Sequence, residues 1–205
     1  MIYLKFKRFY DFVLALLGVS ILFPLFLILV LLIKVDSKGP IIFKQKRIGK
    51  DKEYFNIYKF RTMKVDTPKN TPTHLLENPN QWITRMGKFM RKSSLDEIPQ
   101  FFNILKGDMS FVGPRPALWN QYDLIEERDK YGVHKVSPGV TGWAQVSGRD
   151  KLLIADKAKL DGEYLKHLNL FTDIKLVIYT FIVVFKRDGV VEGGTGLLEK
   201  ETIIK

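Results

Sequence analysis

Residues 12–33 read FVLALLGVSILFPLFLILVLLI and carry no charge at all. About twenty such residues are enough to cross the hydrocarbon core of a bilayer as a helix. A soluble binder of nucleic acid would have no need of them. The run exceeds the apolar region of a secretory signal, and no small-x-small cleavage site separates it from Lys34, Asp36 and Lys38, so it is expected to stay in the mature protein. Lys5, Lys7 and Arg8 precede it, and Lys34, Lys38, Lys44, Lys46 and Arg47 follow it. By the positive-inside rule both flanks are cytoplasmic. One spanning helix cannot satisfy that, whereas a re-entrant helix that dips in and returns can. Pro24 supplies a cause for a bend, because it cannot donate to the Ser20 carbonyl, and the Ser20 hydroxyl is placed to help resatisfy the freed backbone. The pattern leaves two readings open, a re-entrant bend at Ser20 and Pro24 or a spanning helix with a proline kink.

The chain of 205 residues has room for one compact domain with an attached segment. Its net charge of +11 points to phosphate-rich partners or an anionic membrane surface. The absence of cysteine excludes disulfides, thiolate zinc sites and a cysteine nucleophile. The three histidines, His74, His134 and His167, have no metal-ligand spacing. Residues 40–60 hold two β-branched and aromatic runs around a Gly49-Lys50-Asp51 turn, and predict a hairpin or two short strands. The polar, proline-bearing stretch 64–81 is expected to be a loop. Short helices are expected over 84–92 and from Ser93 or Ser94 to about Lys106, then through about Tyr131, and again over 152–168. Residues 137–148 read as irregular and the glycine-rich 189–205 as a flexible tail. The apolar run 171–185 fits either a core helix or one lying in the membrane interface.

No phosphate-binding loop of the GxxxxGK[ST] kind, no GxSxG elbow and no HExxH appears. More specific is RKSSLDEIPQ over 91–100, where Asp96 and Glu97 follow two cations closely. Ser94 and Glu97 have the spacing of a capping box, and an acidic first turn is ordinary at a helix start. Pro99 is odd under that reading, since it withholds an amide and would bend the helix beside the carboxylates. The functional reading makes one carboxylate a nucleophile, kept ionised by the helix N-terminus and nearby cations, that attacks phosphorus. Attack on an anionic phosphate needs a hard divalent cation and several Lys or Arg groups to offset repulsion. Lys59, Arg61, Arg91, Arg115 and Arg149 are spaced around this point, and the prolines beside Arg115 limit its backbone.

KFRTM at 59–63, SSLDEIPQFFNILKGDMSFVGPRP at 93–116 and PGVTGWAQVSGR at 138–149 resemble the bacterial sugar transferase family, the small monotopic phosphoglycosyl transferases. The resemblance implies a mainly α fold with a small β-hairpin. An N-terminal re-entrant membrane helix (1–36) would pack on a compact cytoplasmic α/β catalytic domain (37–188) with interfacial amphipathic helices. It implies residence at the cytoplasmic face of the bacterial inner membrane. It also implies transfer of a sugar 1-phosphate from a UDP-sugar to polyprenol phosphate, with release of UMP. Asp96 would be the nucleophile and a ligand of Mg2+, Glu97 its catalytic partner. Lys59, Arg61, Arg91, Arg115, Gln145, Arg149 and Asp161 would serve as substrate or structural contacts. Anionic inner-membrane lipid, a second copy of the chain and pathway glycosyltransferases are the further partners it suggests. Nucleic acid is not among them, because a basic binding module gives no reason for Asp96-Glu97, Pro99 and GPRP together. One departure is visible: the family's helix break is often Ser-Pro, and here it is Phe23-Pro24.

Overall fold

The computed structural model describes residues 2–67, 79–148 and 151–186. Arg149, the tail beyond residue 186 and most of the 64–81 loop lie outside the described residues. Helix α1, Ile2–Asp36, contains the whole apolar run and continues through Pro24. The Ser20 hydroxyl donates back to the Leu16 carbonyl at 2.9 Å rather than attending to the carbonyl freed by proline. Back-bonding of this kind and an interior proline both favour bending.

Helix α1 buries only a narrow stripe and leaves most of its apolar surface exposed. Its buried positions are Lys7, Asp11, Ala15, Leu29 and Ile33, while Phe9, Leu17, Ile21, Phe23, Ile28 and Leu31 are exposed. Two charged groups are enclosed by protein while much of the apolar surface faces outward, a pattern that suits a helix in an apolar surround. Gly18 lies against the Phe101 ring, and Phe26 stacks on Phe60 with ring centroids 4.9 Å apart. The stripe that touches protein therefore runs from Lys7 to Ile33, roughly 39 Å at the α-helical rise. Both ends are tied down. Arg8 donates to the Ile104 and Leu105 carbonyls, and the Asp36 carboxylate accepts the Met86 amide at 3.1 Å.

Strands β1 (Ile42–Ile48) and β2 (Tyr54–Phe60) form the expected antiparallel hairpin, with Phe43 opposite Lys59 and Arg47 opposite Phe55. The hairpin shares its core with α1: Ile57 packs with Ala15, Ile104 and Met109, and Phe60 with Leu29, Ile33 and Met90. Helix α2 spans Arg85–Ser93 and is capped by the Thr84 hydroxyl, which accepts the Gly87 amide at 3.0 Å. Helix α3, Gln100–Lys106, lies along β2, where Asn103 accepts the Tyr58 amide and donates to the Asn56 carbonyl.

The 137–148 stretch is more ordered than its composition suggests. Strand β3 (Ser110–Val112) pairs in parallel with β4 (Gly139–Thr141), and a short helix, α5, follows at Trp143–Val146. Glycine permits this crossing: a Cβ on Gly139 would lie 2.1 Å from the Gly113 nitrogen, and one on Gly142 would lie 2.1 Å from the Gly113 oxygen. Helices α4 (Tyr122–Asp129) and α6 (Ile154–Lys166) pack together, and α6 lies against α5. Helix α7, Leu170–Lys186, is not a core helix. Asp173 and Leu176 are buried on one side, whereas Phe171, Ile174, Ile178, Phe181 and Ile182 are exposed.

Candidate active site

The acidic pair sits in a break between two helices. Ser94 ends α2 in the left-handed region at φ 56°, a conformation that costs a non-glycine residue free energy and is frequent at functional sites. A 3-10 turn, Leu95–Glu97, follows, and Pro99 then heads α3 as its N-cap residue. The capping box suggested by Ser94 and Glu97 does not form, since the Ser94 side chain makes no capping bond. Pro99 does not bend a helix either. It stands where a missing amide costs least, at a helix start. Asp96 consequently lies ahead of α3, in the turn between the helices.

That turn presents both carboxylates to β2. Lys59 Nζ contacts Glu97 Oε1 at 2.6 Å and lies 4.0 Å from Asp96 Oδ2. An Arg115 guanidinium nitrogen is 3.8 Å from the same Glu97 oxygen. Arg91 is oriented by its Nε, which donates to Thr62 Oγ1 at 2.9 Å. Asp96 is buried, with 8% of its surface exposed. Burial pushes its carboxyl above the ordinary aspartate range and the Glu97 charge adds to the push, while Lys59 and Arg91 pull it down. Desolvation thus outweighs the cations that were expected to keep this group ionised. A carboxylate already stripped of water has less hydration to lose when it attacks an electrophile.

Of the residues expected at the site, the structure brings together Asp96, Glu97, Lys59, Arg91 and Arg115. Arg61 is turned away: its guanidinium holds the end of α1 through the Ser37 and Lys38 carbonyls, 2.8 Å from Ser37 O, and the residue is 5% exposed. Asp161 is also a structural contact, accepting Arg128 Nε at 2.9 Å and an Arg128 terminal nitrogen at 2.6 Å. Gln145 is buried and reaches only the Gly113 carbonyl, at 3.5 Å.

Arg47 was not singled out from the sequence and belongs near the site. It donates to the Pro116 carbonyl at 3.0 Å, and both Arg115 and Glu97 act on its charge. Burial and Arg115 push its guanidinium below the usual range, although an arginine holds its proton in any protein environment. Its place opposite Phe55, four residues along the hairpin from the Phe43–Lys59 pair, was the available signal, because alternate residues of a strand share a face.

Among the described residues no group of three or more His, Cys, Asp or Glu side chains could cage a metal ion. Mg2+ is typically held by one or two carboxylates together with substrate phosphates, keeping several waters. Asp96 and Glu97 are adjacent hard oxygen donors, and they fit a metal that arrives with a diphosphate.

A long apolar helix is joined here to a partly buried acidic pair ringed by lysine and arginine, which defines a membrane-associated protein equipped to handle phosphate. The chain belongs to the bacterial sugar transferase family, whose profile matches residues 2–187. It is 41% identical over 187 residues to UDP-glucose:undecaprenyl-phosphate glucose-1-phosphate transferase of Escherichia coli K12, covering 88% of this chain and 39% of that protein. It is 38% identical over 184 residues to undecaprenyl-phosphate glucose phosphotransferase of Komagataeibacter xylinus, covering 85% of this chain and 35% of the relative. The chain thus spans well under half the length of these curated relatives. An uncharacterized sugar transferase, EpsL, of Bacillus subtilis is 38% identical over 186 residues and is matched over 89% of its length and 90% of this chain.

Proposed function

We propose that this protein transfers a sugar 1-phosphate from a UDP-sugar to polyprenol phosphate, undecaprenyl phosphate in bacteria, as the first membrane step of glycan assembly. The observation that carries the reading is the buried Asp96 carboxylate, set in a strained turn within reach of Lys59 and Arg91 and beside an apolar helix. Two relatives, named as glucose phosphotransferases acting on undecaprenyl phosphate, support it.

In the first half-reaction an Asp96 oxygen attacks the sugar-bearing phosphorus. A phosphorus–carboxylate bond forms, the bond to the bridging oxygen breaks, and UMP departs with that oxygen. In the second, a phosphate oxygen of the polyprenol attacks the same phosphorus, the phosphorus–carboxylate bond breaks and the Asp96 carboxylate is restored. Lys59 holds Glu97 and sits between the carboxylates, so it neutralises charge as the nucleophile approaches an anion. Arg91 and Arg115 are the further cations for the diphosphate, and Arg115 is suited to bidentate phosphate contact. Mg2+, with Asp96 as its ligand, would neutralise diphosphate charge and stabilise the leaving group. Rapid quenching with radiolabelled donor should trap a phosphosugar on the protein before polyprenol phosphate is added, and detergent-solubilised protein should release UMP. Active protein that never carries label, with kinetics requiring both substrates bound together, would overturn the covalent path.

The same reading makes α1 re-entrant, with the protein on the cytoplasmic face of the inner membrane. Its protein-facing stripe is longer than a hydrocarbon core of about 30 Å, and Arg8 and Asp36, near opposite ends, bind the same folded body. A helix crossing from face to face would have to drag α2, α3 and the hairpin into lipid. Cysteines introduced at Lys5 and at Lys38 should therefore react with an impermeant thiol reagent only from the cytoplasmic side. Labelling of one from each side would indicate a spanning anchor instead.

A further inference from the structure

Pro114 and Pro116 flank Arg115, and neither has an amide hydrogen, so the turn that carries this arginine has few backbone bonds of its own to offer. Its carbonyls are held from outside. The Gly113 carbonyl meets Gln145 at 3.5 Å, Pro114 O accepts the Gly139 amide at 2.9 Å, and Ala117 O accepts the Ile48 amide at 3.0 Å. The two carbonyls between them meet guanidinium groups: Arg128 donates to Arg115 O at 2.8 Å, and Arg47 to Pro116 O at 3.0 Å. Five consecutive carbonyls are thus gripped by donors from α5, β4, α4 and β1.

Arg128 is the member whose presence needs explaining. The pair it forms with Asp161 is almost wholly enclosed, with side-chain exposures of 4% and 1%. Burying an ion pair costs desolvation that its attraction often only repays, so stability alone is a weak reason to keep one. Geometry is a better reason. One Asp161 oxygen takes both Nε and one terminal nitrogen of Arg128, which fixes the plane of the guanidinium. The remaining nitrogen is then aimed at the backbone of Arg115. A planar fork can serve a carboxylate and a carbonyl at once in fixed directions, which an ammonium group cannot.

We propose that Arg128, locked by Asp161, is a positioning residue that sets the Arg115 guanidinium beside Glu97 for the anionic oxygens of a sugar-nucleotide diphosphate. This rests on the reading of Arg115 as a phosphate-binding group. Arg128 touches no substrate and acts through the turn.

The test is a double-mutant cycle on the full chain in detergent. It uses UMP release from a UDP-sugar that the wild-type protein turns over, with donor KM and kcat measured separately. Arg128→Lys should lower kcat/KM by about tenfold to a hundredfold, the scale of losing a charge-assisted hydrogen bond, with a clear rise in donor KM. In an Arg115→Ala background the same change should cost less than about threefold, because the group it positions is gone. An equal loss in both backgrounds, with KM unchanged and a lower melting temperature, would show a merely structural role and overturn the proposal. Arg115→Ala with wild-type kcat/KM would instead remove the phosphate-binding reading of Arg115 on which the proposal stands. If Arg128→Lys does not fold, the near-isosteric Asp161→Asn takes its place in the same cycle with the same outcomes.

Discussion

Asp96→Asn is expected to lower UMP release by about three orders of magnitude or more, the scale seen when a covalent nucleophile is removed, and to abolish labelling by radioactive donor. The same variant should melt at or above the wild-type temperature. The sign follows from burial. An acid whose folded pKa lies above its unfolded value holds its proton more tightly when folded. It therefore loses stability as pH rises from the ordinary aspartate pKa through the folded one. Asp96 is such a group, raised by desolvation against the pull of Lys59 and Arg91. At neutral pH its ionised form works against the fold, and the uncharged amide relieves that cost. Glu97 remains to pair with Lys59 at 2.6 Å, so the lysine is not stranded. Loss of activity with retained or higher stability is the signature of a group kept for chemistry. Asp96→Asn with lowered stability and UMP release within tenfold of wild type would make Asp96 a structural residue and move the nucleophile elsewhere.

The parts of this fold that were legible in the sequence are those whose signals are local. The hairpin followed from β-branched and aromatic runs on either side of a turn, and the structure pairs them in antiparallel fashion, with Ile42 opposite Phe60. The two longer C-terminal helices were expected over 152–168 and 171–185, and the structure places them at Ile154–Lys166 and Leu170–Lys186, the second exposed along much of its apolar surface rather than in the core. What misled were local signals with two physical meanings. Ser94 and Glu97 have the same spacing whether Ser94 begins a helix or ends one in the left-handed region, and only the chain's path decides. Pro99 can break a helix or head one. Strand β4 and helix α5 were hidden because a three-residue strand built of Gly, Val and Thr has no pattern to read, and its partner lies in a distant segment. Arg61 follows Lys59 by two residues and shared its apparent eligibility for the site. Beyond the end of β2 at Phe60 the strand alternation no longer governs where its side chain goes, and it closes the end of α1. Lys59, Arg91 and Arg115 could be guessed as a set because each lies within or beside a short motif, whereas Arg47 lies outside them and Arg128 meets Asp161 across 33 residues with no motif to link them.

The longest-range link of this kind carries the largest expected effect on stability. Asp173, on the packed side of α7, is 3% exposed and pairs with Lys7 of α1. The same carboxylate accepts hydroxyls from Tyr3 at 2.7 Å, from Tyr10, and from Tyr164 at 2.8 Å. Asp173→Leu would remove the carboxylate paired directly with a buried ammonium, leaving only the more distant Asp11 charge, and take away the acceptor that three hydroxyls share. Breaking a buried pair by removing one partner costs about 3–5 kcal/mol, a large share of the roughly 5–15 kcal/mol that holds a domain together. For a chain of this size that corresponds to a melting temperature lower by about 6–20 °C. Asp173→Asn keeps an acceptor for the tyrosines and should lose distinctly less. The loss should be felt at the site as well as in the anchor, because Tyr164 also donates to the Val112 carbonyl at 3.1 Å. Val112 is the residue before Gly113, where the clamped turn begins, and Asp11 of α1 accepts the neighbouring Phe111 amide at 3.2 Å. The N-terminal half of α1 is therefore joined to the base of the Arg115 turn through one carboxylate, one tyrosine and one strand. Asp173→Leu should reduce turnover even at temperatures where it remains folded, and should make the N-terminal end of α1 more sensitive to protease in detergent. A melting temperature within about 2 °C of wild type, with α1 still protected, would mean that the apolar contacts of Ala15, Leu29 and Ile33, with the Arg8 and Asp36 bonds, seat the anchor without Asp173.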